Sequence, residues 1–228
     1  METELARIAE RARQNKKFKF QTLAHLINEE TLIAAHENMD GKKAPGIDGV
    51  TKTSYSENLK ANIADLVDRM KRQAYKPQTV RRVFIPKPGS DKMRPLGVPA
   101  YEDKLVQAVI VRILNAIYEQ DFLGFSYGFR PGRCAHDALK HLNNLIGEQR
   151  VNYIVDADIK GFFDHVDHIW TMEFLKERIA DTSLLRLIAQ FLKAGVMEAG
   201  IKYDAPEGTP QGGLCKEIRY AKQTSQSL

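Results

Sequence analysis

Hydrophobic residues recur at helical spacing in one long stretch near the middle of the chain. Between Asp103 and Tyr118 they fall every three or four positions, at Leu105, Val106, Val109, Ile110, Ile113, Leu114 and Ile117. A repeat of this period places the apolar side chains along one face of a helix. The pattern therefore predicts a core helix, with Lys104, Gln107 and Arg112 pointing outward.

Other segments follow weaker helical patterns or the alternation typical of strands. Short amphipathic helices are predicted before residue 40 and over residues 54–73, 135–146, 168–179 and 182–193. Strands are predicted as a hairpin over residues 80–99, a buried strand over 151–159, and a second hairpin over 195–213 that ends in a glycine-rich loop. Helices and strand pairs that follow one another in this order indicate an α+β fold.

The composition is that of a globular protein and excludes several other classes. The chain has 228 residues, of which 43% are hydrophobic, enough to form a core. Cys134 and Cys215 lie far apart without the spacing of a zinc site or a disulfide framework. The charged first residues do not resemble a signal peptide, and no window approaches the roughly 18 apolar residues of a membrane span. We therefore expect a cytoplasmic protein with no membrane partner.

Positive charge is concentrated in one short segment. The net charge is +5, and residues 71–94 contain eight basic residues against one acid, so this segment carries +7 and the remainder −2. A solvated surface is one explanation of such a cluster. The other is a polyanionic partner, either nucleic acid or a nucleoside triphosphate.

Two carboxylates stand at the end of the predicted buried strand. Asp156 and Asp158 would share one face of that strand, while Ala157 and Ile159 would take the other. Because an unpaired buried carboxylate is costly, a cation should compensate the pair, and Mg²⁺ prefers oxygen ligands of this kind. The alternatives are a helix cap or pairing with an arginine.

Two further elements have the chemistry to bind a nucleotide. Lys87 and Arg94 stand seven residues apart across the predicted turn, so the hairpin would bring an ammonium and a guanidinium onto one polyphosphate. In the segment GTPQGG, glycines permit close approach of a chain or base, and Gln211 offers both a donor and an acceptor. A plain tight turn is the alternative for this loop.

Five motifs occur in one order along the chain. They are APGIDGV, RRVFIPKPGSDKMRPLGVP, LVQAVIVRIL followed by FSYGFRPGRCAHDAL, YIVDADIKGFFDHVDH and EGTPQGG. Together, over roughly residues 40 to 213, they closely resemble the reverse transcriptase and maturase proteins encoded by group II introns. The resemblance implies an RNA-directed DNA polymerase that uses two Mg²⁺ ions, deoxynucleoside triphosphates, and intron RNA or an RNA template with a DNA primer.

The resemblance also implies a right-hand polymerase architecture. It divides the chain into a basic helical extension over residues 1–37, fingers over 38–150, a partial palm over 151–213 and a tail outside the family pattern over 214–228. No Asp-Asp pair occurs in the sequence. We therefore expect the chain to stop before the aromatic-x-Asp-Asp hairpin and the thumb, and to lack processive polymerisation alone. An RNA-binding splicing fragment and a non-functional truncated copy are the alternative hypotheses.

Individual roles follow from the matched motifs. Asp158 corresponds to the first catalytic carboxylate, and its metal-binding partner would be the Ile159 carbonyl. The residues implied to contact the nucleotide are Lys87 and Arg94 on the triphosphate, Phe163 beside the sugar 2′ position, and Gln211 near the nascent base pair. The residues expected to contact nucleic acid are Gly46 and Asp48 over the template and the basic Lys76, Arg81 and Arg82.

Overall fold

The computed structural model describes residues 2–86, 89, 91–205 and 207–209. Its helices are α1 (Glu2–Gln14), α2 (Glu29–Glu37), α3 (Lys52–Ser56), α4 (Leu59–Lys71), α5 (Tyr101–Tyr118), α6 (Ala135–Glu148), α7 (His168–Arg178) and α8 (Thr182–Leu192). Short 3₁₀ turns cover Ala24–Leu26 and Phe162–His165. Every predicted helical segment therefore contains helix. Within the described ranges, no helix is both long enough and apolar enough to cross a membrane.

The strands of the described residues form one mixed sheet of four. They are β1 (Val80–Pro86), β2 (Met93–Val98), β3 (Val196–Glu198) and β4 (Ile201–Tyr203), and they lie in the order β2-β1-β3-β4. β1 runs antiparallel to β2 and parallel to β3, and β3 runs antiparallel to β4. Both predicted hairpins are confirmed, and the mixture of helices with this sheet confirms a mixed helix and strand fold.

Helix α5 is the centre of the hydrophobic core. All seven apolar residues predicted to face the core are at most 2% exposed, and α1 and α2 pack against this helix. The prediction for Gln107 is wrong, because only 9% of this residue is exposed. Helices cover α5 on more than one side, so a single outward face does not exist along its whole length.

The carboxylate of Asp181 joins the amino-terminal segment to α8. One oxygen accepts hydrogen bonds from the backbone amides of Ser183 and Leu184 and caps α8. The other accepts from the amides of Leu23 and Ala24 at 2.6 and 2.8 Å. Burial acts to raise the pKa of Asp181, but these four N–H donors outweigh it, and the pKa lies below its usual value.

The prediction of a buried strand over residues 151–159 is wrong. This segment has no regular secondary structure, and Tyr153 and Val155 are 89% and 88% exposed. A strand needs neighbours to pair its backbone groups, and no described strand lies beside this segment. The apolar side chains of the preceding helix α6 are also exposed, including Leu139 at 62%. Periodicity identified the apolar positions here, but the contacts that would bury them are absent among the described residues.

Candidate nucleotide site

Two motifs that lie far apart in the sequence meet at the 3₁₀ turn Phe162–His165. The backbone amide of Thr209 donates to the carbonyl of Phe163 at 2.7 Å, and the amide of Gly208 donates to the carbonyl of Val166 at 2.9 Å. The start of the GTPQGG segment is thereby bonded to the segment that follows Asp158. Gln211 itself lies outside the described residues.

Gly208 allows this close approach. A Cβ atom at this position would lie 2.7 Å from the carbonyl oxygen of Asp164. The backbone φ of +77° is also one that residues with a side chain rarely adopt. His168, which is buried, donates through Nε2 to the Gly208 carbonyl at 2.7 Å. These contacts therefore fix Gly208 against the turn.

A cleft of about 210 Å³ separates this junction from the β1–β2 hairpin. Typical small-molecule sites begin at roughly 300 Å³, so the cleft can enclose only part of a nucleotide. Its walls come from both hairpins and from the junction, and the polar side chains among them are Arg82, Asp164, Tyr203, Asp204, Glu207 and Thr209. The cleft thus lies between the β1–β2 hairpin and the junction, and both carry motifs that the sequence analysis expected to contribute to one nucleotide site.

Arg82 supplies the cation of the cleft and is held by a neighbouring strand. Its guanidinium donates to Glu198 on β3 at 2.9 Å, and about a third of each side chain is exposed. Sequence reasoning did not identify Asp164 or Thr209, which also line the cleft. Asp164 could have been identified because it lies in the same acidic segment as Asp158. Thr209 could have been identified because it lies two residues before Gln211 in the same motif.

Of the two residues expected to bind the triphosphate, the structure describes Arg94, which lies near the end of the β1–β2 ladder. Arg94 is exposed on β2, where it is opposite Ile85. Lys87 lies outside the described residues, but it directly follows Pro86, which pairs with Met93. The hairpin register thus places Arg94 one residue from the last pair of the described ladder, Pro86 and Met93.

The carboxylate predicted to bind metal lies in the exposed segment before the turn. Asp158 and Ile159 have no regular secondary structure, and Ile159 is 67% exposed. A carboxylate and a backbone carbonyl are suitable Mg²⁺ donors, but the described residues contain no group of three acidic, histidine or cysteine side chains that could hold a metal. These two donors alone do not fit a two-ion centre.

The residues expected over the template hold a loop against the core helix. Arg81 donates to the Pro45 carbonyl at 2.6 Å, and Asp48 accepts from the first amide of α5, that of Tyr101, at 2.8 Å. A Cβ on Gly46 would lie 2.4 Å from the nearest backbone atom ahead of α5. These contacts fix the APGIDG loop. Lys76, in contrast, is exposed just before β1.

Comparisons with known proteins agree on one family. A model of the family "Reverse transcriptase (RNA-dependent DNA polymerase)" matches residues 85–215. The group II intron-encoded protein LtrA of Lactococcus lactis subsp. cremoris is 36% identical over 215 residues, which cover 94% of this chain and 36% of LtrA. The protein YkfC of Escherichia coli K12 is 34% identical over 219 residues, which cover 93% of this chain and 57% of YkfC.

A solved structure shares the fold at lower sequence identity. The chain matches a component of the "Partial Cas6-RT-Cas1--Cas2 complex" with a TM-score of 0.56 and 18% identity, over 89% of this chain and 34% of the other. The chain thus spans little more than a third of LtrA and just over half of YkfC. The matched motifs, the family model and these relatives together show that the chain belongs to the reverse transcriptase family and is homologous to group II intron-encoded reverse transcriptases.

Proposed function

We propose that this chain forms the fingers and part of the palm of an RNA-directed DNA polymerase of the group II intron type. Its substrates are deoxynucleoside triphosphates and an RNA template, intron RNA included, with a DNA primer. The single observation that carries this proposal is the hydrogen-bonded junction between Phe163 and Thr209. This junction brings two family motifs together beside the β1–β2 hairpin, which supplies a third.

In this proposal the β1–β2 hairpin binds the triphosphate, and the junction contacts the sugar and the base. Lys87 and Arg94 bind the triphosphate at the tip of the hairpin, since a guanidinium and an ammonium there would neutralise its charge. Phe163 lies beside the sugar and disfavours a 2′ hydroxyl, and Gln211 follows the junction toward the base. The acidic side chains of the cleft, Asp164 among them, disfavour a phosphate there and support placing the triphosphate at the hairpin.

Nucleic acid would bind along the basic segment that includes the hairpin. Lys76 is exposed and available for a phosphate contact, and Arg82 is about one-third exposed. Arg81, Gly46 and Asp48 act differently in this proposal, because their contacts shape the loop that would lie over the template. Mg²⁺, when bound, would stabilise charge on the reacting oxygens. Asp158 and the Ile159 carbonyl would hold part of that ion's shell.

Sugar selection tests the role of Phe163. The affinities of the chain for dUTP and UTP, which differ only in the 2′ hydroxyl, should be measured with Mg²⁺ and an RNA template annealed to a DNA primer. The wild-type chain should bind dUTP more tightly than UTP, and Phe163→Val should narrow this difference in affinity because the ring no longer crowds the 2′ position. Arg94→Gln should lower the affinity for both nucleotides by the same factor, since it removes a contact with the triphosphate that they share.

Lys76→Gln is the matched control for the charge change at Arg94. It removes an exposed cation outside the hairpin tip, so it should weaken RNA binding and leave nucleotide affinity unchanged. If Phe163→Val discriminated between dUTP and UTP as strongly as the wild type does, and Arg94→Gln bound nucleotides with unchanged affinity, the proposal would be contradicted.

A further inference from the structure

The loop between α5 and α6 exposes aromatic side chains. Residues 123–133 read LGFSYGFRPGR, and Phe125 and Phe129 are 66% and 52% exposed. An exposed aromatic ring gives up the favourable burial that most such residues obtain on folding. The assigned nucleotide cleft does not include this loop. The nucleotide cleft therefore does not account for these exposed rings.

Arg130 holds the loop in one conformation. The residue is only 8% exposed, and its guanidinium forms a two-point ion pair with Glu119, with the shortest contact at 2.7 Å. The same guanidinium donates to the carbonyls of Leu123 and Ser126 at 2.9 and 2.7 Å. It also lies 4.7 Å from the centre of the Phe122 ring. The loop is thus organised from inside, although its aromatic rings face outward.

Phe129 is held in a conformation that is unfavourable for a side chain. Its φ of +61° lies in the left-handed region, which is energetically costly for a residue with a Cβ atom. Burial does not compensate this cost, since about half of the residue is exposed. Strain that persists at an exposed aromatic residue points to a binding role.

Tyr127 and two cations complete the surface. The Tyr127 hydroxyl is hydrogen-bonded to Nδ1 of His141 at 2.6 Å, and the guanidinium of Arg133 lies 5.5 Å from the centre of the tyrosine ring. Arg133 and Lys140 are both exposed. The one acid among residues 123–141, Asp137, accepts a hydrogen bond from the Cys134 amide at 2.8 Å. Aromatic rings and cations therefore lie side by side on this surface.

We propose that this aromatic loop, residues 123–133, is a stacking platform for unpaired bases of single-stranded RNA. Planar rings stack on bases of any identity, and neighbouring cations neutralise the backbone phosphates. The exposed cations Arg133 and Lys140 stand beside the rings, with one acid among residues 123–141, and this excess of positive charge favours a polyanionic partner. The inference rests on the proposed function, because an RNA template supplies the unpaired strand.

The test uses a single-stranded oligoribonucleotide of about ten nucleotides that contains 2-aminopurine, whose fluorescence falls when it stacks. Phe125→Ala and Phe129→Gly should each lower the affinity about tenfold and reduce the quenching. A thermal unfolding curve of Phe129→Gly should show that the variant is folded at the assay temperature, since glycine adopts this φ without strain. A loss of affinity in this variant then cannot come from unfolding.

Two controls separate stacking from other effects. Trp170→Ala removes an aromatic residue of α7 that is 61% exposed, and it should leave affinity and quenching unchanged. Arg133→Gln should lower the slope of log affinity against log salt by about one, whereas Phe125→Ala should leave that slope unchanged.

Unchanged affinity and quenching in both phenylalanine variants would overturn the platform but leave the proposed function standing, since the RNA is still bound. Reduced self-association of these variants, with RNA affinity intact, would show that the loop contacts protein and would also overturn it. Failure of the wild-type chain to bind any RNA, even at low salt, would contradict both proposals.

Discussion

Replacing Asp181 with alanine should destabilise the protein much more than an ordinary loss of a helix cap. Its carboxylate accepts four backbone hydrogen bonds, two within α8 and two from Leu23 and Ala24. Only 7% of Asp181 and 1% of Leu23 are exposed, so water cannot fully replace the lost acceptor. Asp167 provides a matched control, because it caps α7 through two local amides alone.

The expected magnitudes follow from these contacts. Loss of a cap costs about 1 kcal/mol, and this is the effect expected for Asp167→Ala. Each hydrogen bond to a charged group contributes about 1.5–3 kcal/mol, less the cost of burying the carboxylate. Asp181→Ala should therefore lower the free energy of unfolding by about 3–5 kcal/mol. Asp181→Asn keeps one acceptor oxygen, so its loss in the free energy of unfolding should lie between those of Asp167→Ala and Asp181→Ala.

Urea unfolding of the three variants and the wild type measures these differences directly. The pKa of Asp181 is lowered in the folded chain, so its stabilisation is present above the unfolded value of about 3.9 and is lost as the pH falls further. The gap between wild type and Asp181→Ala should accordingly shrink in acid. Equal losses in Asp181→Ala and Asp167→Ala at neutral pH would refute the claim that this carboxylate joins the amino-terminal segment to α8.

Two further predictions concern the surroundings of α5. Gly46→Ala should lower the free energy of unfolding in urea by at least about 2 kcal/mol because its Cβ would clash with backbone. Gly41→Ala, whose Cβ would lie 3.9 Å from the Lys52 side chain, should be close to neutral, and equal effects of the two substitutions would contradict this packing. Burial raises the pKa of Asp103 to about 6, so the stability from its protonated form is present below about pH 4 and lost as the pH rises through about 6. Asp103→Asn should remove this decline of about 3 kcal/mol in the unfolding free energy, and a variant with an unchanged pH profile would show that Asp103 does not cause it.

The elements that the sequence predicted correctly are those stabilised by contacts within the described chain. The helical repeat over residues 103–118 identified α5 because its apolar side chains pack against α1 and α2. The β1–β2 hairpin was equally predictable, since the turn and both strands are adjacent in the sequence. The same rules failed for residues 151–159, where a strand requires partners that periodicity alone does not supply.

The candidate site was predictable in its motifs and not in its contacts. Phe163, Arg94 and Asp158 stood out through the family pattern, but nothing in the spacing showed that Thr209 would bond to the turn at Phe163. Residue type also gave no indication that Arg81 donates to a loop carbonyl. Such contacts depend on tertiary packing, which brings together residues that are distant in sequence.

Template-directed nucleotide binding tests the central proposal most directly. The affinity of the chain for each deoxynucleoside triphosphate should be measured with Mg²⁺ and an RNA template annealed to a chain-terminated DNA primer. The nucleotide complementary to the first unpaired template base should bind about tenfold more tightly than the others, a difference of ~1.4 kcal/mol. Asp158→Asn should reduce the Mg²⁺ dependence of this preference, whereas Asp156→Asn should leave it as in the wild type. Equal binding of all nucleotides whatever the template base, or identical behaviour of the two aspartate variants, would contradict the account.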